Sequence, residues 1–305
     1  MIADLKPGDQ MDLNVLVNSY EMKYSEKVRN NYFLSMLCKD SSGEIPVKVF
    51  DLPKNKLDEL TELLDESKFI HIQGNVEDFK GNINVKALNI EFIEEPEDMS
   101  YYEKCAPIEL NILKSRLDEA IEKIEKLHFK KLVQSMIGKN GTYRDKFIVW
   151  PAAKSMHHAY RHGLLQHSLE VFSFVESDFD GYQKFDPSAK SDNINWDALK
   201  TAALIHDIAK IEELDYDNGI TNYTVCGDLI GHLNYGAMWA FHNIQQIDNF
   251  PKEESELLLH ILLSHHGRKD WGAAIEPKTI EAEFFHYADL RSAAANKALK
   301  SKTQG

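Results

Sequence analysis

The spacing of apolar residues changes once along this chain, and that change divides what it can fold into. Over residues 11–17 (MDLNVLV), 32–38 (YFLSMLC), 44–50 (EIPVKVF), 69–76 and 83–93, apolar side chains come in short runs or at alternate positions, as strands require. After that, Leu110, Leu113, Leu117, Ile121, Ile124 and Leu127 recur every three or four residues, which predicts an amphipathic helix. Helical spacing returns over 165–175, 196–210, 227–241, 252–264 and 279–298. The expectation is a multidomain α+β protein, a small β module followed by an all-α one. At roughly 150 residues per domain, 305 residues accommodate two.

Turn chemistry refines the first module. KDSSG, with Gly43 free to take positive φ, separates the second and third runs, and DFKGN at 78–82 separates the fourth and fifth. Residues 54–67 place Leu57, Leu60, Leu63 and Leu64 on one side of a predicted helix between strands three and four. Five strands with a helix in that place suggest an OB-type β-barrel over residues 1–93. The acidic, aperiodic stretch EEPEDMSYYEKCAP at 94–107 is read as a linker, with Pro107 in the first turn of the following helix, and 108–305 as the helical domain. The amphipathic helix either packs within that domain or pairs with a second copy, which leaves a homo-oligomer open.

Composition removes several classes. With 43% apolar and 28% charged residues, 15 Gly and 9 Pro, the chain is neither a collagen nor a disordered tail. Its 35 Lys and Arg against 49 Asp and Glu give a net charge of −14, which argues against wholesale coating of nucleic acid or an anionic membrane but leaves room for a local basic cleft. Residues 1–100 alone carry 11 basic against 20 acidic residues. Three distant cysteines, Cys38, Cys105 and Cys226, indicate neither a disulfide framework nor a thiolate zinc site and suit a reducing compartment. The N-terminus lacks the basic flank and apolar run of a secretion signal, and no stretch of about 18 apolar residues occurs. A cytoplasmic protein without membrane contact is expected.

Of 13 histidines, 11 follow residue 150. Three predicted helices carry polar groups in apolar surroundings: LLQHSLEV with His167, LIHDIAKI with His206 and Asp207, and HYADLRSA with Asp289. Between them lie GHLNYG with His232 and LLSHHGRKDWG with His265 and His266. A buried carboxylate without a partner is costly, so a cation replacing the lost water would explain such positions. Imidazole and carboxylate suit a divalent first-row ion, and Asp207 could be shared between two. Spacing alone leaves a structural role for each group equally open.

In the order His, His-Asp, Asp, the chain resembles the HD-domain metal-dependent phosphohydrolases. The resemblance implies that His167, His206, Asp207 and Asp289 hold one divalent cation and that Asp207, His232, His265 and His266 hold a second. It also implies that Asp207 and Lys210 of HDIAK act in catalysis, the lysine approaching the phosphate. The blocks PAAKSMHHAY (151–160), GLLQHSLEV (163–171), LIHDIAKI (204–211), YTVCGDLIGH (223–232) and LLSHHG (262–267), with a preceding barrel, resemble the YhaM-like 3′-5′ exoribonucleases over nearly the whole chain. Departures from that branch are His162 in place of a glycine, Cys226 in place of a glutamate and a longer connection over 177–195. His162 is expected to face solvent or to add a substrate contact.

The implied activity is metal-dependent 3′-5′ hydrolysis of single-stranded RNA, with single-stranded DNA as a further substrate, giving nucleoside 5′-monophosphates by two-metal water activation. Manganese is the expected ion, with magnesium, cobalt and iron as alternatives. Near the centre in sequence, His157, His158, Tyr160, Arg161, Arg268 and Lys269 could contact phosphate or stack on a terminal nucleotide. On the barrel, Tyr32, Phe33 and Phe50 could stack on bases while Lys48, Lys86 and Asn84 engage the backbone, or the aromatics could simply fill the barrel. Two rivals remain: an HD-type hydrolase of small nucleotides or cyclic dinucleotides, and a noncatalytic nucleic-acid-binding scaffold.

Overall fold

Strand β1, Gln10–Tyr24, runs well past the expected 11–17 because it pairs with two neighbours in succession. Its first half, Gln10 to Leu16, pairs antiparallel with β4 (Phe69–Phe79), and Leu16 to Tyr24 pairs with β2 (Tyr32–Asp40). A register shift between Val17 and Ser19 lets the strand bend from one partner to the other. With β3 (Gly43–Val49) and β5 (Asn82–Phe92), the computed structural model closes a barrel in the order β1-β2-β3-β5-β4, leaving no free edge. It describes the chain except residues 80, 97, 187, 189–192, 218, 304 and 305. Two compact units emerge, Met1–Lys104 and Cys105–Gly305.

Alternation fills the barrel. Met11, Val15, Leu34, Met36, Val47, Ile70, Ile72 and Val85 are buried in one cluster, joined by Leu57 and Leu64 from helix α1 (Lys54–Glu66). Leu63 was expected on that face but stays 43% exposed, because at six residues from Leu57 it has rotated away. Gly43 does not use positive φ either. The turn is held by the Asp40 carboxylate, which accepts from the Ser42 and Gly43 amides at 2.8 and 3.2 Å and from the Ile2 amide at 2.8 Å. Gly81, in the other hairpin, does have φ of 81°. The acidic stretch expected as a linker is partly anchored: Met99 and Tyr102 bury against Leu16 and Phe69, and the Ser41 amide donates to the Tyr101 carbonyl.

The second unit is mostly helical. The helix expected through residue 127 is two helices, α2 (Leu110–Glu122) and α3 (Leu127–Ile137), and Leu127 is 62% exposed. Asp197 explains the break, since its Oδ2 accepts from the Glu125 and Lys126 amides at 2.9 and 2.5 Å. Those amides therefore need no helical partner. Pro107 precedes α2 and its N-cap, Glu109, instead of opening the helix. Helices α4 (Arg144–Val149), α5 (Gly163–Phe185) and α6 (Trp196–Ile205) follow, then the short α7 (Lys210–Glu213).

A two-stranded hairpin, β6 (Leu214–Asp217) and β7 (Ile220–Tyr223), departs from the all-α expectation. After it come α8 (Val225–Leu229), α9 (Gly231–Ile244), α10 (Lys252–Ser264) and α11 (Ile280–Thr303). Gly231, at φ 74°, divides the single helix expected over 227–241 into α8 and α9. The core gathers Leu113, Leu117, Phe129, Phe147, Leu199, Ile261 and Phe285.

Gly74 allows β4 and β5 to approach. A Cβ there would lie 2.6 Å from the Lys86 carbonyl oxygen and 2.8 Å from Val85 Cγ1. Gly74→Ala is expected to destabilise the barrel by about 1–3 kcal/mol through this overlap. Hydrogen exchange at β4 and β5 amides of the full chain reads this directly, and unchanged protection would contradict it.

Candidate metal centre and nucleic-acid face

Asp207 sits in the turn between α6 and α7, with its carboxylate 2% exposed. His206 caps α6, so the two residues occupy a helix end and not the helix interior expected for them. That end places both carboxylate oxygens among side chains from five other elements. On the Oδ2 side, the Nε2 atoms of His167 (α5) and His206 each lie 3.4 Å away, and Lys210 Nζ lies 2.6 Å away. His167 Nε2 is also 3.1 Å from Asp289 Oδ1 on α11 and 3.1 Å from His206 Nε2. On the Oδ1 side, His232 Nε2 (α9) and His265 Nε2, just past α10, stand at 3.3 and 3.7 Å. The His266 ring lies 5.3 Å from that of His232.

Every imidazole in this set has Nδ1 next to an acceptor: Ser292 Oγ for His167, and the Ala203, Leu262 and Trp271 carbonyls for His206, His265 and His266. For His232 the acceptor is the Glu213 carboxylate, at 2.8 Å. A proton on each Nδ1 satisfies these bonds and leaves the Nε2 lone pairs for the centre. Asp207 Oδ1, His232 Nε2 and His265 Nε2 are buried without hydrogen-bond partners. Three converging, unsatisfied acceptors are costly in a closed site unless a cation joins them. The donor set therefore fits divalent metal. Ligand-capable groups meet as His167, His206 and Asp207, as His206, His265 and Asp289, and as His232, His265 and His266.

The electrostatics agree with that reading. Burial works to raise the Asp207 pKa, but Lys210 and His206 outweigh it and hold the carboxyl far below its ordinary range. Burial likewise opposes ionisation of Asp289, and the hydrogen bond from His167 overrides it. For His265, burial and the neighbouring His266 and His206 push the pKa well down, and burial with His232 does the same for His266. Neutral imidazoles and ionised carboxylates are the protonation states that bind metal. His167 differs: burial disfavours its charge, yet bonds to Asp207 and Asp289 prevail and push its pKa up to about 9. A proton there compensates carboxylates that a metal ion would otherwise neutralise.

The residues expected at the substrate divide into two groups. His157 is half-buried with its ring 5.2 Å from that of His167, and its pKa falls to about 3, chiefly through burial and the Lys210 charge. Arg268 and Lys269 are exposed just after the His pair, the Arg268 guanidinium lying 5.5 Å over the Trp271 ring. Arg161 is half-buried and its carbonyl accepts from the Ala106 amide at 2.9 Å. His158, by contrast, is 0% exposed and its Nε2 lies 3.1 Å from Glu170, so it presents no surface to a substrate. Tyr160 donates to Gln166 at 3.1 Å and accepts from Asn296 at 2.9 Å, which holds its ring against the core. His162 was expected in solvent. It is buried at φ 66°, its Nδ1 2.7 Å from the Ile148 carbonyl oxygen.

The loop carrying these residues is tied to the start of α5. The His158 carbonyl accepts from the Ala152 and Tyr160 amides at 3.0 Å each. A Cβ on Gly163 would stand 1.9 Å from the same oxygen.

In the barrel unit, Phe33 and Phe50 are half-buried with rings 5.1 Å apart, and Lys48 and Lys86 are paired across β3 and β5. Lys48 lies 5.2 Å over Phe79, Lys86 lies 6.0 Å over Phe50, and Tyr32 packs at 5.5 Å on Tyr24. The Phe33 and Phe50 rings and two ammonium groups thus share one side of the sheet, whereas Tyr32, next to Phe33 in β2, packs against the barrel core on the other side. Asn84 lies on the same face of β5 as Lys86, opposite the core residue Val85, yet it is buried, with its amide 3.5 Å from the Glu77 carbonyl. Residues missed from the sequence include Glu213, Ser292 and Glu170, which lie three positions from Lys210, Asp289 and His167. One helical turn would have flagged them.

Comparison with known proteins agrees with this geometry. Residues 164–294 match the HD domain family. The 3′-5′ exoribonuclease YhaM of Oceanobacillus iheyensis is 32% identical over 270 residues, covering 87% of this chain and 78% of that protein. YhaM of Listeria innocua is 27% identical over 309 residues, covering 100% and 92%, and that of Bacillus subtilis 26% over 291 residues, covering 95% and 86%. No helix among the described residues is long and apolar enough to cross a membrane. The matched domain and its buried His and Asp clusters make a metal-dependent phosphohydrolase, and the chain belongs to the YhaM 3′-5′ exoribonuclease family.

Proposed function

We propose that this protein is a metal-dependent exonuclease that shortens single-stranded RNA from its 3′ end and releases nucleoside 5′-monophosphates. The observation that carries the reading is the Asp207 carboxylate, whose two oxygens face two different histidine groups. Two divalent cations, manganese being the expected ion, would supply an acidified water and positive charge for the phosphate oxygens. Under this reading His167, His206, Asp207 and Asp289 hold one cation and Asp207, His232, His265 and His266 the other. The named relatives support RNA as substrate and the 3′ end as its starting point.

The chain's own groups then have distinct tasks. Lys210, 2.6 Å from Asp207, keeps an ammonium beside the position of a nonbridging phosphate oxygen. Such a contact is worth roughly 2–4 kcal/mol if it tightens in the transition state. Asp207 and Asp289 keep Lys210 charged against the opposing effect of burial. His157, Arg161, Arg268 and Lys269 would receive the terminal nucleotide and the next phosphate, while His158 and Tyr160 support the loop from behind. The barrel would retain the strand on Phe33, Phe50, Lys48 and Lys86, using stacking and phosphate contacts that tolerate any sequence.

RNA labelled separately at each end tests the direction. Loss of the 3′ label as mononucleotide before any 5′-end shortening is expected; endonucleolytic fragments, or turnover confined to cyclic or small nucleotides, would overturn the assignment. Asp207→Ala should lower turnover at least 100-fold and release metal, because both cations lose a ligand. A chelator should reproduce the loss in the native protein, with recovery on adding manganese. Full activity of the variant with undiminished metal content would refute the hub.

For the barrel, Phe33→Ala should weaken binding of a long RNA by about 1–3 kcal/mol while leaving a dinucleotide's kcat unchanged. Equal losses on both substrates together with a lowered melting temperature would assign Phe33 to packing.

A further inference from the structure

One carboxylate, Glu170, lies behind the metal centre with more bonds than its position on α5 requires. Its Oε2 accepts from Ser292 Oγ at 2.8 Å and lies 3.1 Å from His158 Nε2; its Oε1 accepts from Gln166 Nε2 at 2.8 Å. Burial works to raise its pKa, and the bonds from His158 and its other donors lower it, so it is ionised and can only accept. That fixes the direction of each neighbouring bond. Ser292 has one O–H proton and spends it on Glu170, so its oxygen must accept from the His167 nitrogen 2.9 Å away. When a cation takes the place of the second proton, the one that His167 retains is then on Nδ1, and Nε2 is free toward Asp207, Asp289 and His206.

Glu170 anchors a second branch through His158. His158 must donate its Nε2 proton to Glu170, which leaves Nδ1 as an acceptor. The Nδ1 of His157 stands 3.4 Å from it and is the available donor. Ser292 is fully buried, as are His158 and His167, so water cannot substitute for a missing member of either branch.

We propose that Glu170 is a positioning residue that acts through Ser292 to orient His167 and fix its proton on Nδ1, and so sets the affinity of the cation site containing His167. The inference rests on His167 being a metal ligand, as argued above. It also separates the two cation sites, because His232 in the other takes its orientation from Glu213. Outer carboxylates of this kind typically change metal affinity by about 10–100-fold.

The test is a metal titration of the full-length protein with manganese, competed by a chromogenic chelator. Glu170→Met removes every acceptor at similar volume, Glu170→Gln keeps one, and Ser292→Ala cuts the link at the hydroxyl. One of the two binding steps should weaken by 10–100-fold in Glu170→Met and Ser292→Ala and by less in Glu170→Gln, with the other step unmoved. The metal-free melting temperature should stay near that of the native protein, and kcat at saturating metal should recover. Nitrogen-15 spectra of histidine-labelled, zinc-loaded protein should show His158 protonated at Nε2. Unchanged affinity in Ser292→Ala, or a His158 proton on Nδ1, overturns the proposal even if Glu170→Met does not fold. Asp207→Ala is the reference: if it too retains both binding steps, the metal site itself has been misassigned.

Discussion

A carboxylate with almost no access to water, Asp207, imposes the main constraint on the helical unit. Its negative charge has to be balanced inside the protein, and Lys210 supplies part of that balance at 2.6 Å. A protonated His167 from α5 supplies more, whereas the bare Nε2 atoms of His232 and His265 on the other side supply none, and Asp289 adds a second negative charge to be balanced. The surrounding helices pack so as to deliver these groups, which is why polar residues interrupt otherwise apolar helix faces at His167 and Ser292. A cluster of this kind is an unfavourable core and a favourable cation receptor.

The barrel meets a different constraint with the opposite material. Its interior is closed by alternating apolar residues, and its five strands leave no free edge, so polar and aromatic groups on the outer side are available for other tasks. The unit is acidic overall, yet Lys48 and Lys86 are adjacent in the ladder beside Phe50. Local arrangement, and not the net charge, sets the potential that a strand would meet there.

Much of this was legible in the sequence. Strand alternation announced the barrel and its inserted helix, because a period of two can satisfy only a sheet with one buried side. The ordered His, His-Asp and Asp motifs, through the family they resemble, pointed to the clustered buried His and Asp groups. What remained hidden depended on partners distant in sequence. Nothing local shows that Asp197 accepts from two amides more than 70 positions earlier and divides α2 from α3, or that Asp40 and not Gly43 builds its turn. The β6–β7 hairpin is only four residues per strand, too short for alternation to stand out within helical surroundings. Exposure was the least readable property: His158 and His162 look like solvent-facing histidines until the chain folds over them.

The fastening of the 151–163 loop limits how a new substrate preference could arise. Because the His158 carbonyl occupies the space a methyl on Gly163 would need, the main chain there has no slack to shift. Variation acceptable to the scaffold is confined to side chains carried on that fixed path, so divergent nucleotide selectivity within such proteins should be written in half-buried positions such as 157 and 161 while the backbone beneath them stays the same.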